Sequence, residues 1–162
     1  MPNDNWVTML GADTVNAHMA KCFITIGDER YNAMNAINVS AKVEKEKKEV
    51  PILGQTGKGH KSTSWKGSGS AKFHYNSSFF RRKMLEFMAT GEDFYFDMQI
   101  INEDPTSKSG RQDITLINCN FDSAVIAAFD ADSDDPLEEE MDFTFESVKM
   151  GQEFTLLPGM SM

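Results

Sequence analysis

Apolar and polar residues alternate with a period of two from Ile37 onward: Ile37, Val39, Ala41 and Val43 are separated by Asn38, Ser40, Lys42 and Glu44. That pattern predicts a β-strand with one face buried. The alternation gives way to Lys45, Glu46, Lys47, Lys48 and Glu49, so the strand is expected to run out past the core. The next stretch, GQTGKGHKSTSWKGSGS from Gly54 to Ser70, holds five glycines and little apolar content. It has no face to bury and reads as a long flexible loop or hairpin tip. Long loops in compact domains are usually functional.

Beyond it, Ala71, Phe73 and Tyr75 alternate with Lys72 and His74 as a further strand. The one helix the pattern supports follows, with Ser77 or Ser78 as N-cap, Phe80, Met84, Leu85, Phe87 and Met88 at helical spacing, and Gly91 placed to end it. Its apolar stripe is expected to be core, closing one open side of a sheet or barrel. Phe94–Ile101 alternates again, Asn102–Gly110 is turn-rich, and Ile114–Phe121 and Ala124–Phe129 read as strands. Met141, Phe143 and Phe145 alternate with Asp142, Thr144 and Glu146 as the last clear strand. Six or seven strands around one helix, without internal repeats or heptads, predict a mainly β (α+β) fold. Residues 1–162 are expected to form one domain, with residues 1–20 as an N-terminal arm and residues 44–70 as a long loop, both serving assembly.

Charge changes the picture more than composition does. From Lys42 to Lys83 there are 11 Lys or Arg against 3 Glu, and from Asp130 to Asp142 there are 8 acidic residues and no basic one. A surface with separate cationic and anionic regions is complementary to copies of itself, which favours head-to-tail association. The net charge of -9 argues against a protein that wraps nucleic acid by neutralising phosphates. A chain of 162 residues is long enough for a real core. Cys22 and Cys119, without a CxxC partner, are expected to be reduced core or strand residues. No basic, apolar leader opens the chain and no apolar run approaches the roughly 18 residues of a membrane span, so a soluble protein made in a cytoplasm is expected.

Three chemical motifs fail on inspection. Gly54–Ser62 resembles a phosphate-binding loop, but His60 stands where the lysine belongs, and a strand pattern follows where a helix is required. Asp130, Asp132 and Asp134 have the first spacings of a calcium loop, but Asp135 replaces the turn glycine and Met141 the bidentate glutamate. A solvated or partner-facing acidic loop is the competing reading. His18, His60 and His74 are scattered and assemble no catalytic pattern. No enzyme activity and no cofactor are expected.

The runs AKVEKEKKEVPILGQTGKGHKSTSWKGSGS (41–70), FRRKMLEFMATGEDFYFDMQIINEDPTS (80–107) and DADSDDPLEEEMDFTFE (130–146) carry a resemblance. Together they resemble the tail tube protein family of contractile-tailed bacteriophages, defective prophages and phage-tail-like bacteriocins, over roughly 23–148. The resemblance implies an antiparallel β-barrel or sandwich with a flanking helix and a long extended hairpin loop, similar to the inner-tube proteins of type VI secretion. It implies hexameric rings stacked into a tube inside a contractile sheath, located in a virion tail assembled in the bacterial cytoplasm. Implied partners are other copies of the chain, the sheath protein, baseplate and tail terminator proteins, and viral DNA passing through without specific binding. If each of six copies lent about four strands to the inner wall, ~24 strands at ~4.8 Å spacing would give a bore near ~37 Å, wide enough for duplex DNA.

Under that architecture, Lys45, Lys47, Lys48, Lys58 and Lys61 are expected to meet Asp130, Asp132 and Asp134 of a neighbour, with Trp65 as an apolar anchor. Acidic wall candidates that would repel DNA are Glu140, Asp142 and Glu146, with Asp97 as a second choice; ordinary solvated strand faces are the competing reading. Three alternatives stay open at this point: the tube of a genome-free bacteriocin, a monomeric ligand- or cation-binding β-barrel, and a nucleotide-dependent enzyme.

Overall fold

The computed structural model describes residues 8–157, 159 and 160. The first seven residues of the expected N-terminal arm lie outside the described residues. The chain folds as two compact units, one of residues 1–34, 97–116 and 148–162, the other of residues 35–96 and 117–147.

The first unit holds β1 (Ala20–Ile26), β2 (Glu29–Asn32), most of β5 (Phe96–Glu103), the start of β6 (Arg111–Phe121) and β8 (Ser147–Gln152), in the order β2-β1-β5-β6 with β8 also on β6. β1 pairs antiparallel with both β2 and β5. Its core is Cys22, Ile24, Met98, Ile101 and Leu116, all buried. Burial pushes the Cys22 thiol up to about 11, so it stays protonated and inert. The polar face is cross-linked: Arg30 donates to Gln99 Oε1 at 2.7 Å, and Gln99 Nε2 donates to Asp113 at 2.9 Å. Asp104, 1% exposed, ties down the segment before β1 by accepting from Asn16 N at 3.0 Å. The Thr106 hydroxyl, with the Asn16 and Thr106 backbone N–H groups, holds the Asp104 carboxyl below the ordinary aspartate value.

The second unit is built on β3 (Ala36–Pro51) and β4 (Lys58–His74), followed by α1 (Phe79–Thr90), the end of β6, and β7 (Glu138–Phe145), in the order β6-β7-β4-β3. β4 pairs antiparallel with β3 and β7, and β6 with β7. Neither run of strands closes on itself. The core is an aromatic stack: Phe80 lies 5.1 Å from Phe73 and 4.6 Å from Phe121, and Phe121 lies 4.8 Å from Phe96. Phe143 and Phe145 pack against Gly69 and Gly67 of β4, where an added Cβ would meet the rings at 2.6 Å and 2.3 Å. The glycines that make this stretch look like a loop are what let the phenylalanines of β7 close over the strand.

Several expectations change. Gly54–Ser70 is not a flexible loop: from Lys58 it is strand, with only residues 52–57 left as the turn. The ladder to β3 supplies the order that the composition lacks. Consequently the phosphate-loop resemblance fails structurally too, since the stretch leads into β4 and α1 begins only at Phe79. Ala124–Phe129 is not a strand; Phe129 is 88% exposed and no neighbouring edge pairs with this run. The Ile37–Val43 face is not buried, because β3 is the end of its sheet and nothing in this unit covers it. Strands β1, β2 and β8 escape the sequence reading: Phe23 interrupts the alternation of Cys22, Ile24 and Ile26 in β1, β2 is only four residues long, and β8 offers only two apolar positions, Val148 and Met150.

α1 has the expected ends, with Ser78 at its N-cap and Gly91 in the left-handed region at φ 76°, donating its N–H to Phe87 O at 2.8 Å. Its stripe is not core. Phe80 is buried and Met84 half-buried, but Leu85, Phe87 and Met88 are exposed, Met88 by 70%. Only the first turn of the helix rests on the aromatic stack.

Candidate assembly surfaces

Register determines what the long hairpin is. β7 pairs with β4 only from His74 to Gly67, whereas β3 pairs with β4 on to Lys58. Eight rungs, from Glu44–Lys66 to Pro51–Lys58, therefore extend past β7 as a bare two-stranded ribbon. At about 3.3 Å per residue it projects roughly 26 Å. An isolated two-stranded ribbon is marginal in water. A bulge at Thr63, between the Glu46–Ser64 and Lys47–Ser62 rungs, re-aims its outer half.

The predicted basic residues all lie on this ribbon and are exposed. Lys58 pairs with Glu49 at 3.3 Å, while among the described residues Lys45, Lys47, Lys48 and Lys61 have no carboxylate in ion-pair range. Trp65 stands opposite Lys45, 49% exposed, on the face that nearer the sheet carries Gly67 and Gly69 against the core. Ile52 and the fully exposed Leu53 form the tip. Sequence reasoning passed over this pair; the signal was two aliphatic residues immediately before Gly54 in an otherwise hydrophilic run.

Asp130, Asp132 and Asp134 sit in the exposed segment 122–137 between β6 and β7. That segment is tied at the opposite end of β4: Tyr75 N donates to Leu137 O at 2.9 Å, and Arg81 Nη1 to Val125 O at 3.4 Å. Basic ribbon and acidic segment are thus anchored to opposite ends of one long strand. The fold of a single copy separates them. As a calcium loop the segment fails, because Met141 at its twelfth position is buried in β7. Among the described residues no group of three or more His, Cys, Asp or Glu is placed to hold a metal ion.

Along β7 the alternation is strict: Glu138, Glu140, Asp142 and Thr144 are exposed, and Glu139, Met141, Phe143 and Phe145 are buried. Glu140 and Asp142 therefore share one face, across from Lys72 and Ser70 of β4, and Glu146 follows, accepting from Asn118 Nδ2 at 3.0 Å. Lys72 pairs with Glu138 at 3.6 Å, so the acidic face is partly neutralised. Asp97 is half-buried opposite Thr25 in the other unit.

Glu139, one of the acidic residues counted by sequence as surface charge, is 1% exposed and paired with Arg81 at 2.8 Å. Arg81 also donates to Ser77 O and lies over the Tyr75 ring, 4.1 Å from its centroid. Glu139 Oε1 has no hydrogen-bond partner among the described residues. Burial raises the Glu139 carboxyl above the ordinary glutamate value, and Arg81 opposes the rise.

Comparison with known proteins agrees with this architecture. The chain is 45% identical over 106 residues to the phage-like element PBSX protein XkdM of Bacillus subtilis, covering 65% of this chain and 71% of that protein. A structure from the anti-feeding prophage baseplate superposes with a TM-score of 0.65 at 11% identity, covering 85% and 95% of the two chains. One from the sheath–tube complex of an extracellular contractile injection system superposes with a TM-score of 0.61 at 14% identity, covering 86% and 92%. These two show a shared fold. A family model described as phage tail tube protein matches residues 7–151, nearly all of the two-unit β architecture, and the chain belongs to that family, whose role is structural.

Proposed function

We propose that six copies of this chain close into a ring and that rings stack head to tail into the inner tube of a contractile tail, a conduit for DNA. The observation that carries this reading is the bare eight-rung ribbon, with six Lys against three Glu, projecting from one end of β4 while the acidic segment is tied at the other. Among the described residues these charges do not pair within one copy, and between copies related by translation along the tube they can. Residues 44–70, and the arm of residues 1–20, act as assembly elements. The arm's described part is clipped to the first unit through Asp104 and through Ser109, whose hydroxyl donates to Asp13 O at 3.0 Å.

The hydrophilic face of β7 with Glu140 and Asp142, and Glu146 beyond it, lines the bore. Screening confines electrostatic repulsion to about 8 Å at physiological salt, so only residues on the wall itself keep DNA from sticking. Sheath, baseplate and terminator proteins meet the outside and ends of the tube. Negative-stain imaging of the concentrated protein tests the assembly: stacked rings are expected, and a persistent monomer would overturn it. Tubes of Glu140→Lys/Asp142→Lys should retain duplex DNA that unaltered tubes release; equal release would remove these residues from the wall. A native particle bearing a capsid supports DNA as cargo, and a capsid-free tail overturns that part of the reading.

A further inference from the structure

We infer that the ribbon tip, with Leu53 as its plug, seats in an apolar cavity beside α1 of a second copy of the chain. This rests on the stacking just proposed and names the contact that stacking uses. The cavity measures about 280 Å³, with walls from Phe80, Met84, Phe87 and Phe121. A cavity of about 150 Å³ already accepts a benzene-sized guest, so there is room here for an aliphatic side chain and part of its neighbour. Its other lining residues include the carboxylates of Asp93 and Asp122 and one cation, Lys83, which is engaged with Glu86 at 3.4 Å.

The plug matches in both chemistry and charge. Leu53 is wholly exposed, Ile52 beside it is 43% exposed, Lys58, paired with Glu49 at 3.3 Å, lies on the first rung, and Lys61 stands opposite Lys48 on the fourth. An aliphatic tip flanked by lysines suits an apolar cavity with acidic groups in its lining. The occupant must be another copy. The cavity's Asn120 and Phe121 stand, through Thr144 and Phe143 of β7, level with Ser68 and Gly69 of β4, while the tip caps the Lys58 end, roughly 35 Å away along an extended strand. The same docking covers Phe87 of α1, which is exposed in a single copy.

The test uses three variants at two positions that leave the core untouched. Leu53→Asp should raise the protein concentration at which tubes appear by roughly tenfold or more, from the lost burial of one leucine, with unchanged thermal unfolding of the free subunit. Leu53→Cys copies mixed with Ala124→Cys copies and mildly oxidised should form disulfide-linked pairs containing one of each, because Ala124 lines the cavity. If Leu53→Asp tubes form at the wild-type concentration, or the mixed pair fails to cross-link within well-formed tubes, the docking is wrong while stacking stands. If the unaltered chain forms no rings or tubes, the stacking reading fails and the docking falls with it.

Discussion

At the scale of single residues, Gly69 and Glu139 show how position outweighs residue type. A side chain at Gly69 would meet the Phe143 ring at 2.6 Å and the Ser40 carbonyl oxygen at 2.4 Å, and the backbone contact cannot move aside. Gly69→Val should therefore destabilise the protein by about 2 kcal/mol or more despite valine's higher strand propensity, read as a lowered midpoint in denaturant unfolding. Glu139 bears on pH. Its carboxyl is raised by burial, so between the ordinary glutamate value and the raised one the folded state holds a proton that the unfolded state has lost. The contribution of this group to stability then increases as pH falls through that window. Asp104 has the opposite sign: its stabilisation is present above the ordinary aspartate value and is lost as pH falls through its depressed one. The stability of the unaltered protein relative to Glu139→Gln should thus rise on mild acidification; a fall would mean that the Arg81 pairing outweighs burial.

At the scale of elements, β7 and α1 mark what periodicity can and cannot supply. The alternation at Met141, Phe143 and Phe145 identified the strand and its inward face, because a period of two admits one choice once one face is apolar. The helix ends were legible through Ser78 and Gly91. Which side of α1 met the core was not, since a stripe of Met, Leu and Phe reads the same whether it faces its own sheet or another molecule. The β3–β4 ribbon was half legible. Its charged rungs were plain, but five glycines disguised β4, and strand order there depends on β3 partners as far off as Ser40 opposite Ser70 and on the rings of β7. Because the exposed lysines of the ribbon make no contacts that hold the fold, Lys45→Glu/Lys47→Glu/Lys48→Glu should keep the wild-type circular dichroism spectrum and abolish tube growth in electron micrographs. Unchanged tube length would refute the electrostatic part of stacking.

At the scale of the whole molecule, opposite charges carried at opposite ends of one strand imply association that weakens with salt. Raising salt from about 0.05 M to about 0.5 M should shorten tubes or raise the concentration needed to form them, by light scattering, since exposed pairs are screened over that range. Insensitivity to salt would shift the weight of stacking onto Leu53, Trp65 and the face of α1. The sequence by itself determined the β class, the helix with its caps, the extended basic arm and the acidic segment, because these depend on local periodicity and on charge counts along the chain. The tertiary structure alone decided that the arm is a paired ribbon, that Glu139 points inward, and that α1 keeps an uncovered apolar face. Each of these turns on which distant strand supplies the hydrogen bonds and the cover, and a linear pattern does not encode that choice.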